Sequence, residues 1–302
     1  MATLLDFRRR IRSVRNTQQI TRAMKFVSSV KLRRAQAAVF AARPYAKQIL
    51  RVLRSAKSRV EGFEHPLLRR SEEKPALVVL VSGDKGLCGA FNSNVIRRGL
   101  EFIREQKQTP YIIAAGKKGR DALRKRNYTL LSDFINLQGK AQFEAARAIT
   151  ATITDLAWKG EVSAVHCVYN EFKNVISQRL MVEPIFPIDP EDFLEESPAP
   201  GAEPPGHAPA AARPVAVDYI YEQSPTEILE SLLPRYVEAQ VYRVLLESAA
   251  AFNAAQMTAM DAATKNASEL IDKVTLHMNK VRQAGITKEI IEVVSGAASA
   301  GM

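Results

Sequence analysis

From Met1 to Glu61 the chain contains no glycine and a single proline, Pro44, so almost nothing in its first sixty residues obliges a helix to stop. Such a span is ~90 Å long at 1.5 Å per residue. Apolar residues recur at Leu4, Phe7, Ile11 and Val14, blur around Gln18 to Thr21, where Ile20, Met24 and Val27 are shifted by about one position, and resume from Ala35 through Val39, Ala42, Ala46, Ile49, Leu53 and Ala56 to Val60. Sustained steps of three and four predict a long helix with a narrow packing seam, as in a coiled coil. Much of that seam is alanine, which admits a close partner but buries little area, so the helix cannot stand alone. The other end of the chain repeats the texture. From about Pro225 to Gly285 the only breaker is Pro234, and Met260, Ala263, Ala267, Leu270, Val274, His277, Val281 and Ala284 again step by three and four. His277 belongs to that stripe as a seam or rim residue rather than a ligand. The two ends together predict an antiparallel two-helix coiled coil, a shaft longer than any small domain at its base is wide.

The net charge of +11 over 302 residues is a local property. Residues 1–60 carry +15, with Asp6 their single acid, whereas 61–218 carry −1 and 219–302 carry −3. One acid among seventeen charges allows almost no pairing within the first helix, so its basic face calls for an acidic partner. An Arg-rich, acid-poor N-terminus is also the texture of a transit peptide, but such leaders do not run on into sixty residues of seam. A basic coiled coil lying on nucleic acid or anionic lipid is a further reading. The slightly acidic C-terminal helix counts against it, because it neutralises much of the basic face.

From Pro75 the pattern changes. Ala76–Ser82 reads as a buried strand, followed by Gly83, Gly86 and Gly89 and by a helix to about Lys107, with Asn92 as its expected N-cap. Tyr111–Ala115 is a second strand, and 117–126 and 141–158 are helices; Val162–Tyr169 and Val175–Pro187 are further strands. Strands alternating with helices predict a small, Rossmann-like α/β domain with a largely parallel sheet. The expected organisation is therefore an N-terminal shaft helix over 1–62, an α/β domain over 75–188, a linker or loop insertion over 189–217 with seven prolines, and a C-terminal shaft helix over 218–302.

Chemistry is hard to find. The glycine turn has the spacing G-x-x-G-x-x-G, neither a dinucleotide fingerprint nor a P-loop, and no Lys-Ser/Thr pair closes it. A nucleotide-binding regulator using the turn near Gly86 stays open as an alternative. No G-x-S-x-G or H-E-x-x-H occurs, Cys88 and Cys167 form no CxxC, and the four histidines are scattered. No run approaches the ~18 apolar residues of a membrane-spanning helix. Neither catalytic residues nor a cofactor or metal is expected. After Gly285 the bulky apolar set Ile286, Ile290, Ile291, Val293 and Val294 reads as an insertion into another protein.

Three segments carry a resemblance: RRIRSVRNTQQITRAMKFVSSVKLRRAQ ending at Gln36, SGDKGLCGAFNSN at 82–94, and MTAMDAATKNASELIDKVTLHMNKVRQAGITKEIIEVVSGA at 257–297. Together they resemble, in order and over essentially the whole chain, the gamma subunits of F-type ATP synthases. The resemblance implies a non-catalytic rotor shaft, one copy inside a hexamer of three alpha and three beta chains, with its α/β domain against the epsilon subunit and the membrane c-ring. It implies that Met24 and Lys25 lie by an acidic loop of beta, which would supply the partner that the +15 segment demands. It further implies that Arg282, Gln283, Thr287 and Glu289 meet beta loops higher up, and that Ile286, Ile290, Ile291 and Val294 turn in the hexamer's upper bearing. No nucleic acid partner is implied.

Departures from the family pattern are equally legible. Where the family reads S-E-x-x-x-R-M, this chain has Phe252, Asn253, Ala254, Ala255 and Gln256 before Met257, which puts one polar shaft contact in doubt. The 189–217 segment contains no cysteine, so a thiol switch there is not expected. A first motif so close to Met1 favours a bacterial protein, peripheral on the cytoplasmic face of the inner membrane.

Overall fold

The computed structural model of the chain describes residues 3–60, 63, 65–68, 73–137, 139–188 and 222–300. Helix α1 spans Leu4–Lys57 and helix α5 spans Pro225–Ala300, lengths of ~80 and ~115 Å. Helix α1 starts on a capping box, in which Thr3 Oγ1 accepts from the Asp6 N–H and the Asp6 carboxylate accepts from the Thr3 N–H. The expected C-terminal helix from 218 begins at Pro225; the proline-rich 189–217 segment lies outside the described residues.

Between the two helices the chain forms β1 (Leu77–Val81), α2 (Phe91–Glu105), β2 (Tyr111–Ala115), α3 (Lys117–Arg124), β3 (Ser132–Phe134), α4 (Lys140–Trp158), β4 (Val165–Phe172) and β5 (Gln178–Phe186). The sheet order is β3-β2-β1-β4-β5, parallel except for the antiparallel β4–β5 pair. The chain leaves β1 toward β2 on one side and returns to β4 on the other, so the order of strand addition reverses between β1 and β4.

The two faces of the sheet are covered differently. Helices α2 and α3 cover one face, where Val78, Leu80, Ile112 and Val168 meet Val95, Leu100 and Leu123. The other face, with Leu77, Val79, Ile113 and Tyr169, packs on α4 and on the shaft itself through Ile49, Leu53, Leu233, Val237 and Val241. The shaft helices thus take the place of part of a helical layer. Period-2 alternation in β1 is lost because all five of its residues are buried on both faces.

Two local expectations change. The N-cap of α2 is Ala90, not Asn92. The Asn92 side chain instead bridges the glycine turn, its Oδ1 accepting from the Gly83 N–H at 2.9 Å and its Nδ2 donating to the Lys85 carbonyl at 3.0 Å. The three-residue strand β3 has no counterpart in the sequence pattern, being too short to show a period.

Candidate partner-binding surface of the shaft

Above the α/β domain the two helices run antiparallel, and their contacts fix the register. Phe7 meets His277 edge to face at 5.1 Å, Thr21 and Thr264 share a hydroxyl hydrogen bond of 2.8 Å, Lys25 pairs with Asp261 at 2.6 Å, and Ser28 Oγ donates to Gln256 Oε1 at 2.9 Å. This ladder explains the blurred stretch of the first helix. The seam does not shift there; it passes through polar residues, Thr21 and Ser28, which are buried. The apolar residues of that stretch point outward instead: Ile20 is 60% exposed, Phe26 70% and Val27 52%. They form an apolar strip, uncovered by any described residue, on a helix rich in arginine.

The proposed contact residues fall in two groups. Met24 and Lys25 lie half-buried beside this strip. Lys25 is engaged by Asp261, whose carboxylate also receives Lys265 at 3.2 Å and is held below the ordinary carboxylate range by hydrogen bonds from Lys25 and then Lys265. An acidic partner at Lys25 therefore meets a cation already shared with the neighbouring helix. Arg282, Gln283, Thr287 and Glu289 lie far above, on a stretch of α5 where every residue from Arg282 to Ser295 is exposed. The Thr287 hydroxyl donates to the Gln283 carbonyl at 2.9 Å, a bond internal to the helix that leaves the Gln283 side chain to a partner. Ile286, Ile290, Ile291 and Val294 share that stretch and are 48–62% exposed. No described residue covers this apolar tip.

At the departures near Met257, Gln256 and Phe252 make contacts within the chain. Gln256 accepts from buried Ser28 and donates to the Gly86 carbonyl at 3.4 Å, tying both shaft helices to the glycine turn. Phe252 packs edge to face on Phe91 at 5.5 Å. It lies so close over Gly83 that a Cβ there would sit 2.6 Å from its ring, which is why that position must be glycine.

Lower down, a polar cluster joins sheet to shaft. Arg243 of α5 pairs with Glu183 of β5 and reaches Tyr169 of β4 at 3.3 Å and Glu247 at 3.4 Å, while the Tyr169 hydroxyl donates to Glu183 at 2.6 Å. Burial works against the Arg243 charge, but Glu183, Tyr169 and Glu247 hold it protonated. Burial also pushes the Glu247 carboxyl up, and its Oε2 is buried without a partner. Both cysteines are free and buried. Among the described residues no group of three or more His, Cys, Asp or Glu could hold a metal, and no helix is long and apolar enough to cross a membrane.

Comparison with known proteins decides the family. The model of the family described as ATP synthase matches residues 3–300. The ATP synthase gamma chain of Solibacter usitatus is 48% identical over 306 residues, covering 99% of this chain and 100% of that one. The chain belongs to the ATP synthase gamma-chain family. The gamma chain of Pelotomaculum thermopropionicum is 43% identical, with 99% of each chain aligned. Among solved structures, a rotor chain of the Euglena gracilis mitochondrial ATP synthase superposes with a TM-score of 0.65 at 19% identity, covering 94% of this chain and 98% of that one. That likeness supports the fold: long terminal helices around a small parallel-sheet domain. As a gamma chain, the protein is a subunit of an enzyme complex.

Proposed function

We propose that the chain is the central rotor shaft of an F-type ATP synthase, carrying torque between the ion-driven c-ring and a catalytic hexamer of alpha and beta chains while doing no bond chemistry itself. The observation that carries this reading is the geometry of α5. A single helix is rooted in the α/β core through Leu233, Val237 and Val241, is paired with α1 in its middle, and runs on alone from Arg282 as an exposed tip. Such an object has no symmetry about its long axis. It therefore presents a different surface to each of three surrounding sites, which is the differential contact needed to bias their conformations.

The basic α1, with its outward Ile20, Phe26 and Val27, supplies a surface for an acidic, partly apolar loop of beta near Met24 and Lys25. Arg282, Gln283, Thr287 and Glu289 serve as the upper contacts. Ile286, Ile290, Ile291 and Val294 turn in an apolar sleeve, where few charges mean few angular traps. The α/β domain is the foot that meets the epsilon subunit and c-ring, in one copy per complex, peripheral on the cytoplasmic face of the inner membrane. Assembly with the alpha and beta chains of the same organism, followed by single-molecule observation, tests the reading. One copy of this chain turning in one direction as ATP is hydrolysed is the expected result. A hexamer that hydrolyses ATP without retaining this chain, or ATPase activity in the chain alone, overturns it.

A further inference from the structure

A cavity of about 350 Å³ lies where α1, α4 and α5 converge on the residues that follow β1. It lies outside the carboxyl end of β1, the side of an open α/β sheet on which ligands bind. Its size falls at the small end of ligand pockets, which run ~300–1,000 Å³. Three cations line it: Lys31 and Arg34 from α1, and Lys85 from the glycine turn. None of the three has an ion-pair partner among the described residues. The acid beside them is already committed. Asp84 accepts from the Lys117 N–H through one carboxylate oxygen and from the Leu137 N–H through the other, at 3.0 and 3.1 Å.

Two buried polar side chains complete the wall. Gln142 is 8% exposed and Ser248 3%, and among the described residues neither side chain makes a hydrogen bond. Neither is sealed from solvent at its polar atoms, so both present them to the cavity they line. Reached by solvent and uncommitted to the protein, the carboxamide and the hydroxyl are free to exchange water for a ligand. Leu245, Leu246 and the Phe252 ring add apolar wall.

We propose that this cavity binds a nucleoside polyphosphate, its phosphates on Lys31, Arg34 and Lys85 and its nucleoside against Phe252, Gln142 and Ser248. Unpaired cations suit phosphate, and arginine in particular grips it with a two-pronged set of donors. A carboxamide, donor and acceptor at once, suits a base edge or a ribose hydroxyl. The site lies beside the glycine turn on its shaft side, bounded by three helices, so occupancy would brace the joint between shaft and foot. The inference is independent of the rotor reading.

Calorimetric titration of the full chain with ADP, pyrophosphate and inorganic phosphate tests it, because the chain alone carries none of a hexamer's nucleotide sites. ADP is expected to saturate one site per chain, more tightly than pyrophosphate, with phosphate weakest. Gln142→Leu and Lys85→Gln should each weaken ADP about tenfold, the equivalent of ~1.4 kcal/mol. Lys85 lies on an exposed turn, so Lys85→Gln keeps the test open if Gln142→Leu does not fold. In the assembled complex the same comparison is read as the yield of photolabelling of this chain by an azido-ADP, expected to fall in both variants. No heat from any probe with a helical circular dichroism spectrum overturns the site, as does ADP binding or labelling unchanged in both variants. Equal affinity for ADP and pyrophosphate overturns the nucleoside part.

Discussion

The foot and the upper shaft are built from the same two helices and held in opposite ways. At the foot, α1 and α5 bury Leu53, Leu233 and Val237 completely against a sheet. Higher up, the same helices mix polar and apolar contacts, with Thr21, Ser28 and Gln256 buried in the seam alongside Ile11, Met260 and Val274, while Ile20, Phe26 and Val27 turn outward. A joint that bears load needs buried apolar area and a fixed register. A surface that must slip past changing neighbours needs few deep contacts. The difference separates anchoring from sliding within one pair of helices.

The largest expected effect is at the joint. Arg243→Ala strands Glu183, Tyr169 and Glu247 around an empty position, a loss of ~3–5 kcal/mol in urea unfolding of the chain. Arg243→Met, which fills the space without the charge, should recover part of it; equal losses would mean the charge itself is what matters. Next comes Leu233→Ala, with an expected cost of ~2–5 kcal/mol from the cavity it leaves. Ile290→Ala on the exposed tip should change stability by under ~0.5 kcal/mol, and comparable losses at the two sites would erase the contrast between foot and tip. In the seam, Ser28→Ala leaves Gln256 Oε1 without its donor and should cost ~1–3 kcal/mol. The double variant with Gln256→Leu should lose less than the sum of the single losses.

The smallest effect is a pH dependence of the foot. Burial holds the His166 imidazole below its ordinary range, its Nδ1 is buried without a partner, and its ring packs on Phe102 at 4.9 Å. The unfolded chain therefore takes up this proton at a higher pH, near ~6.5, than the folded chain does. The contribution is present above that pH and lost as pH falls through it. Between about pH 7.5 and 5.5, a window that brackets the unfolded value, His166→Gln should lose less stability than the parent chain. An identical loss would place the titration elsewhere, His65 being the other histidine shifted down by burial.

Much of this architecture is readable from spacing alone. Unbroken three-and-four periodicity marks both helices, and alternating apolar runs mark the α/β class, because burial of a stripe or a strand leaves a one-dimensional trace. The seam through Thr21 and Ser28 leaves no such trace, since a hydrogen-bonded polar pair satisfies burial without hydrophobicity. Asn92 looks like a cap because a side chain that bridges a turn has the same residue type as one that caps a helix. The cavity is invisible for a different reason. Lys31, Lys85, Gln142 and Ser248 come from four distant segments, and only the fold brings them together. The family resemblance points to contact residues on the shaft but not to the hold that Asp261 already has on Lys25.

The free tip beyond Arg282 also has a mechanical meaning. A lone helix yields to bending and twisting more readily than two helices packed together, and those yield more readily than helices clamped to a sheet. Placed end to end, these sections behave as springs in series, and the softest one takes most of the deflection. Only sections that carry torque store elastic energy: a tip that slips in an apolar sleeve takes little, so wind-up gathers in the paired helices below it, which are softer than the clamped foot.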